Sequence, residues 1–167
     1  ARQVWIIDLD VHKGDGTAAL TAYDASITTL SIHMARGWPL DRAERLPDGS
    51  LHPSHIPSDI DVPVGIGEED AYLPLLEEAL ERLAAFPAPD LAIVLHGADP
   101  YEHDELPSSG DLRLSLAQMR DRDARVDGFL RARGIPRAYL KAGGYGLSAA
   151  DPLTQFIGYF LAGEAAQ

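Results

Sequence analysis

The segment Ile6-Ile7-Asp8-Leu9-Asp10-Val11-His12-Lys13-Gly14-Asp15-Gly16 sets two acids and a histidine at i, i+2 and i+4 where an apolar run ends. Residues two apart in an extended chain point the same way, so if strand geometry persists to position 12 the three side chains converge. Carboxylates buried side by side repel one another and lose hydration, which is unfavourable unless a cation or strong hydrogen bonds compensate. A cation is the simplest solution. A further acid, Asp99, follows the apolar run Leu91-Ala92-Ile93-Val94-Leu95 by way of His96-Gly97-Ala98, just as Asp10 follows its own run. Asp99-Pro100 is also a common turn sequence, so its weight comes from the company it keeps. Two carboxylates and one imidazole make a hard, oxygen-rich donor set that suits Zn²⁺ or Fe²⁺ with a position left for water. The chain has no cysteine, which excludes a thiolate site and a disulfide framework. A third run ends in Ala142-Gly143-Gly144-Tyr145-Gly146, where paired glycines allow a sharp turn that presents Tyr145 at the same rim.

These three sites need three strands that end side by side. The apolar runs are short and rich in β-branched residues, and amphipathic stretches separate several of them, the alternation expected of an α/β domain with a parallel sheet. Strands are expected at about 3–9, 28–34, 60–64, 91–97 and 137–142. Residues 69–86 read as a helix with acids at its start and Leu73, Leu76, Leu80 and Leu83 at helical spacing. A second helix is expected over 112–133, stopped by Gly134-Ile135-Pro136, and a third from Pro152 to Ala162 with Asp151 as N-cap. The stretch from Ala35 to Ser58 has little periodicity and reads as a surface loop. Open parallel sheets bind ligands at the carboxyl ends of their strands, which is where Asp8, Asp10, His12 and Asp99 fall.

Composition narrows the class further. The 167 residues are 46% hydrophobic, enough for one domain with a sizeable core, and no apolar run approaches the roughly 20 residues that span a bilayer. With 14 Lys+Arg against 26 Asp+Glu, the net charge of -12 argues against nucleic-acid binding, which needs a basic face. It leaves room for a cationic partner. Val4 to Ile7 is too short for a signal peptide and runs directly into acids, so a cytoplasmic location is the default expectation. The chain opens on Ala1-Arg2-Gln3 and goes at once into a strand that reads as fully buried, which suggests a portion of a larger domain.

Taken together, these segments resemble the histone deacetylase superfamily, most closely its bacterial and class IV-like members. The matching pieces are Asp8-Leu9-Asp10-Val11-His12 with Gly14-Asp15-Gly16-Thr17, Leu30-Ser31-Ile32-His33, Ser58-Asp59-Ile60-Asp61-Val62, Gly97-Ala98-Asp99-Pro100-Tyr101-Glu102, Arg120-Asp121-Arg122-Asp123 and Gly143-Gly144-Tyr145, in the family's order. The resemblance implies a three-layer parallel-sheet sandwich of the arginase/deacetylase kind, incomplete in this chain. It implies zinc ligands at Asp10, His12 and Asp99, and a Tyr145 hydroxyl that donates to the acetyl carbonyl and its developing oxyanion. It also implies a structural potassium ion held by Asp8 and Ser31 with the backbone carbonyls of Asp10, His12 and Ile32. His33 is a candidate supporting residue behind the ligands. His96 is expected to be structural, and His52, His55 and His103 to be ordinary loop histidines.

The family's general base belongs to a tandem His-His pair upstream of the zinc-ligand strand, and no His-His pair occurs in these 167 residues. Residues 1–167 therefore read as the C-terminal portion of a deacetylase-like catalytic domain. Smaller departures are Lys13, where glutamine or histidine is usual, and Glu105-Leu106-Pro107-Ser108-Ser109-Gly110 in place of a shorter turn. The expected activity is hydrolysis of an N-acetyl amide, on acetyl-lysine or an acetylpolyamine. Two alternatives stand beside it: a non-catalytic metal-binding half-domain or pseudo-enzyme that docks with a partner, and a ureohydrolase-like hydrolase with two manganese ions. A homo-oligomer or a complementary N-terminal half is the expected protein partner.

Overall fold

The computed structural model describes residues 1–165. Its elements are β1 (Val4–Asp8), α1 (Asp15–Thr21), β2 (Ile27–Met34), β3 (Ile60–Val64), α2 (Tyr72–Leu83), β4 (Leu91–His96), α3 (Leu116–Ala132), β5 (Arg137–Lys141) and α4 (Ala150–Ala165). The five strands form one sheet in the order β3-β2-β1-β4-β5, every pair parallel. The chain thus starts at the centre, runs outward through β2 and β3, and returns to build β4 and β5 on the other side. That reversal makes the boundary between β1 and β4 a topological switch point, the place where open parallel sheets take ligands at their carboxyl ends.

Right-handed crossovers put α1 on one face of the sheet and α2 and α3 on the other, because the two halves are wound in opposite directions. The α2–α3–α4 layer closes its face well. Trp5 stacks on Phe129 of α3, and Tyr139 packs against Phe156 and Phe160 of α4. Ile7, Leu30, Ile32, Ala92 and Val94 from the strands meet Leu76, Leu83, Val126 and Leu130 in one buried core. Each such large aliphatic side chain contributes about 1.5–3 kcal/mol on full burial.

The opposite face is open over half the sheet. Val4, Ile6, Leu91, Ile93 and Leu95 are only partly buried, Ala138 is exposed and Leu140 is 48% exposed. The register makes them one surface, with Ile6 beside Ile93, Ile93 beside Ala138 and Leu95 beside Leu140. Parallel sheets are ordinarily covered on both faces. Among the described residues β5 pairs only with β4 and so forms a free edge. The fold is therefore α/β as expected, with one complete helical layer and one partial one. The strand expected to be fully buried, β1, is fully buried on one side only.

Several boundaries differ from expectation for local reasons. β1 stops at Asp8, one residue early. α2 starts at Tyr72 after a one-turn 3-10 helix, Glu69–Ala71, so Pro74 falls in its first turn, where its missing N–H has no helical acceptor to lose. α3 starts at Leu116 because Ser115 and Gln118 form a reciprocal capping box. α4 starts at Ala150 after a 3-10 turn, Leu147–Ala149, so Asp151 is a first-turn acid and not the N-cap. α1 was not anticipated; seven residues with Ala18 alone buried show no readable periodicity. The 35–58 segment is a loop apart from the single 3-10 turn Pro53–His55 and an isolated Arg45–Leu51 bridge. No helix among the described residues is long and apolar enough to cross a membrane.

Candidate metal centre

With β1 ending at Asp8, extension cannot bring Asp10 and His12 together; two successive side-chain turns do so instead. The Asp10 N–H donates to Asp8 Oδ1 at 3.0 Å, and the His12 N–H donates to Asp10 Oδ1 at 3.0 Å. Each acid bends the chain that follows it. The loops after β4 and β5 are then tied to this bend. The Val11 N–H donates to Asp99 Oδ1 at 3.0 Å, the Gly143 N–H to Asp10 Oδ2 at 2.9 Å, and the Ala98 N–H to the Gly143 carbonyl at 2.7 Å. Gly143 has to be glycine: a Cβ there would collide with the Asp99 carboxylate and lie 2.6 Å from Asp10 Oδ2.

The result is a cluster in which Asp10, His12 and Asp99 each offer one ligand atom, all within 4.8 Å of one another. His12 Nδ1 lies 3.1 Å from Asp10 Oδ1 and 3.5 Å from Asp99 Oδ2. Its Nε2 faces Ser108 Oγ at 3.2 Å, and the half-exposed Trp38 indole sits edge-on to the imidazole at 5.3 Å. Asp99 is 1% exposed, and its Oδ2 is buried with no hydrogen-bond partner among the described residues.

The electrostatics follow from this geometry. Burial pushes Asp99 up to about 6, with the Asp10 charge adding to it while His12 pulls the other way. Burial opposes the charge on His12, but the Asp10 and Asp99 carboxylates outweigh it and lift the imidazole to about 9. Burial would also raise Asp10, yet hydrogen bonds from His12 and the Gly143 N–H hold it below the usual carboxylate range. At neutral pH a proton on His12 therefore sits between two carboxylates. A divalent ion held by these three residues would take the place of that proton and supply a partner for the orphaned Asp99 oxygen. The donor set, the orphan and the glycine cradle all fit such an ion.

Asp8 lies just below. It is buried, it forms no ion pair with Lys or Arg among the described residues, and burial pushes it up to about 7. Ser31 is its register partner on β2, 1% exposed, with Oγ accepting the Gly14 N–H at 3.2 Å, and Ile32 follows it fully buried. Tyr145 is 45% exposed at the rim, and its phenol is raised by burial and then by the Asp99 and Asp10 charges.

The histidines separate cleanly. His33 is buried with Nδ1 on the Met34 carbonyl at 2.8 Å and Nε2 3.5 Å from Asp61 Oδ2, so it reaches the Asp61–Lys13 pair and not the cluster. Burial would raise Asp61, but His33 and Lys13 bring it down to about 2. His96 is buried against Asp123 on the far side of the sheet. His52 caps the Pro53–His55 turn, His55 bonds the Arg42 carbonyl, and His103 is exposed.

Two contributors were missed from sequence. Asp104, buried in the loop after β4, accepts the Tyr145 N–H at 2.7 Å through Oδ2 and the Leu106 N–H at 2.9 Å through Oδ1, so the 105–110 segment and Tyr145 share an anchor. Nothing in its sequence neighbourhood marks it. Arg122 is fully buried on α3, and here a signal existed: Arg122 and Asp123 occupy the same helical stripe as Met119, Val126 and Leu130.

The histone deacetylase domain family matches residues 1–158, nearly the whole chain. The chain belongs to the histone deacetylase family. Histone deacetylase 2 of Arabidopsis thaliana is 34% identical over 156 residues, covering 93% of this chain and 37% of that protein. Acetylpolyamine amidohydrolase 1 of Pseudomonas aeruginosa is 27% identical over 158 residues, covering 89% and 41%. A crystal structure of a histone deacetylase homologue complexed with SAHA superimposes with a TM-score of 0.73 at 24% identity, over 97% of this chain and 42% of that one, which shows a shared fold. The chain spans less than half the length of the curated relatives it matches.

Proposed function

We propose that this chain carries the metal centre of a zinc-dependent deacetylase that hydrolyses an N-acetyl amide, on acetyl-lysine or an acetylpolyamine. The observation that carries the reading is the cluster of Asp10, His12 and Asp99 with the Asp99 Oδ2 atom buried and unpartnered. These three residues would hold Zn²⁺, with Fe²⁺ as the other ion their donor set suits. When bound, such an ion supplies Lewis-acid chemistry toward an acetyl carbonyl and water. Tyr145, whose N–H is anchored by Asp104 in the loop after β5, would donate its hydroxyl to the oxyanion. Asp8 and Ser31, with the carbonyls of Asp10, His12 and Ile32, would bind potassium, which supplies the counter-charge that buried Asp8 lacks.

Among the described residues, His12 is the one histidine at the cluster, so in this reading the histidine base is supplied by other polypeptide. The open apolar face across Ile6, Ile93, Leu95 and Leu140 and the free β5 edge favour the same conclusion, because buried parallel sheets need both sides covered. We infer that this face receives a complementary deacetylase half bearing the His-His pair. The experiment is turnover of an acetyl-lysine peptide by the zinc-loaded chain, alone and co-expressed with a family N-terminal half carrying that pair. Little activity is expected alone, and activity abolished by Asp99→Asn is expected from the pair. In the pair, Tyr145→Phe lowers kcat roughly 10²–10³-fold with zinc content unchanged. Turnover that survives Asp99→Asn overturns the catalytic reading; robust, Asp99-dependent turnover by the chain alone overturns the need for a second half.

A further inference from the structure

Behind the cluster, on the helical side of the sheet, α3 delivers a guanidinium that the chemistry described above does not use. Arg122 is 0% exposed. Its Nη1 donates to the Gly97 carbonyl at 2.9 Å and to the Leu9 carbonyl at 3.2 Å. Nε and Nη2 contact Asp123 Oδ1 at 2.9 and 2.8 Å, and Nη2 lies 3.2 Å from His96 Nε2, which is itself 3.0 Å from Asp123 Oδ2. The imidazole has one proton or one lone pair at that nitrogen, so it serves Asp123 or Arg122 but not both.

The two carbonyls are not arbitrary. Leu9 precedes the ligand Asp10, and the peptide that joins them is held at both ends: its oxygen by Arg122, its N–H by Asp8 Oδ1 at 3.0 Å. The Gly97–Ala98 peptide, just before Asp99, is held the same way, its oxygen by Arg122 and its N–H by the Gly143 carbonyl at 2.7 Å. The two loops touch here, since a Cβ on Gly97 would lie 2.6 Å from the Asp10 Cα. One nitrogen therefore spans the joint between the β1 loop, which carries two ligands, and the β4 loop, which carries the third. Asp123 keeps that nitrogen aimed by gripping the other side of the same planar group.

We infer that Arg122 is a positioning residue for the metal centre: from the opposite face of the sheet it sets the spacing of the Asp10–His12 pair relative to Asp99, with Asp123 as its orienting partner. The inference rests on the metal reading. An ammonium at this position keeps the charge and has three donors, but all radiate from one nitrogen, so placed to bridge the two carbonyls it loses the separate Nε–Nη2 edge that Asp123 grips.

The test uses Co²⁺ as a spectroscopic probe with the chain itself. Wild type, Arg122→Lys, Arg122→Met, Asp99→Asn and Val126→Ala are compared by Co²⁺ affinity, visible absorption spectrum and melting temperature without metal. Val126 is buried one turn along the same helix and touches no ligand loop's hydrogen bonds, so it reports generic loss of stability. The expected result is Co²⁺ binding weakened about 10–100-fold in Arg122→Lys, with an altered ligand-field spectrum, and wild-type affinity and spectrum in Val126→Ala. If Arg122→Met fails to fold, Arg122→Lys alone carries the comparison. Should Arg122→Lys bind Co²⁺ as wild type does, or lose affinity only in step with Val126→Ala, the positioning role is overturned. Wild type that takes up no Co²⁺, or Asp99→Asn that takes it up unchanged, removes the metal reading itself.

Discussion

Two buried charged clusters lie back to back across the joint between β1 and β4, and they are built to opposite ends. On the helical side, Arg122 is matched by Asp123 and two carbonyls. Burial would raise Asp123, but the guanidinium beside it holds its carboxyl below the usual range. On the other side, Asp8, Asp10 and Asp99 face one imidazole, one carboxylate oxygen has no partner, and burial leaves Asp8 and Asp99 raised to about 7 and about 6. The first cluster balances its charges with protein groups alone. The second is left with an orphaned oxygen and unbalanced carboxylates, the arrangement that the proposed cation would complete, and that asymmetry is what marks charge placed for a ligand in the proposed reading.

The largest effects come from breaking each cluster in turn. Asp99→Asn removes a charged ligand, so divalent-ion affinity measured calorimetrically falls by two or more orders of magnitude. The metal-free variant melts no lower than the metal-free wild type, because burial and the Asp10 charge oppose the Asp99 carboxylate by more than His12 and the Val11 N–H offset. Asp123→Ala does the reverse. It strands Arg122 in the core and lowers unfolding free energy by about 3–5 kcal/mol in a denaturant titration.

The raised groups of the metal-side cluster respond to pH with a sign opposite to that of Asp123, while depressed Asp10 follows Asp123. Asp8 and Asp99 are raised above 3.8, and His12 is raised above 6.5 to about 9, so in the metal-free chain they favour folding at low pH. The Asp8 and Asp99 contributions fade as pH rises through about 6 to 7, and that of His12 as it rises through about 9. Depressed Asp123 contributes above 3.8 and is lost on acidification. Metal-free chain should lose on the order of 5 °C in melting temperature between about pH 5 and about pH 9, and saturating divalent ion should abolish that loss. The smallest effect belongs to the rim. Ser108→Ala removes the contact to His12 Nε2 and weakens metal binding by less than about tenfold, the scale of one exposed hydrogen bond.

Much of this was legible in the residues. The alternation of β-branched runs with amphipathic stretches indicates a parallel sheet, and the acids after two of those runs indicate which strand ends must meet. The way they meet was not legible, because β1 stops at Asp8 and the convergence of Asp10 with His12 depends on carboxylate-to-backbone turns that alternation does not encode. Arg122 was visible as a charged residue on an apolar stripe, but its partners, the Leu9 and Gly97 carbonyls, are 113 and 25 residues away. Backbone acceptors leave no mark in a sequence. Asp104 was hidden for the same reason, since what it holds is the Tyr145 N–H. The open face has a different origin: Ile6, Ile93 and Leu140 look like core residues, and whether a layer covers them depends on polypeptide other than the strands themselves.

The most direct test of the account is metal stoichiometry by elemental analysis of chain equilibrated with Zn²⁺ in potassium buffer, and in parallel with Mn²⁺. The account predicts a single Zn²⁺ per chain, lost in Asp99→Asn and retained in Tyr145→Phe. No bound ion, an ion retained in Asp99→Asn, or two Mn²⁺ per chain would contradict it.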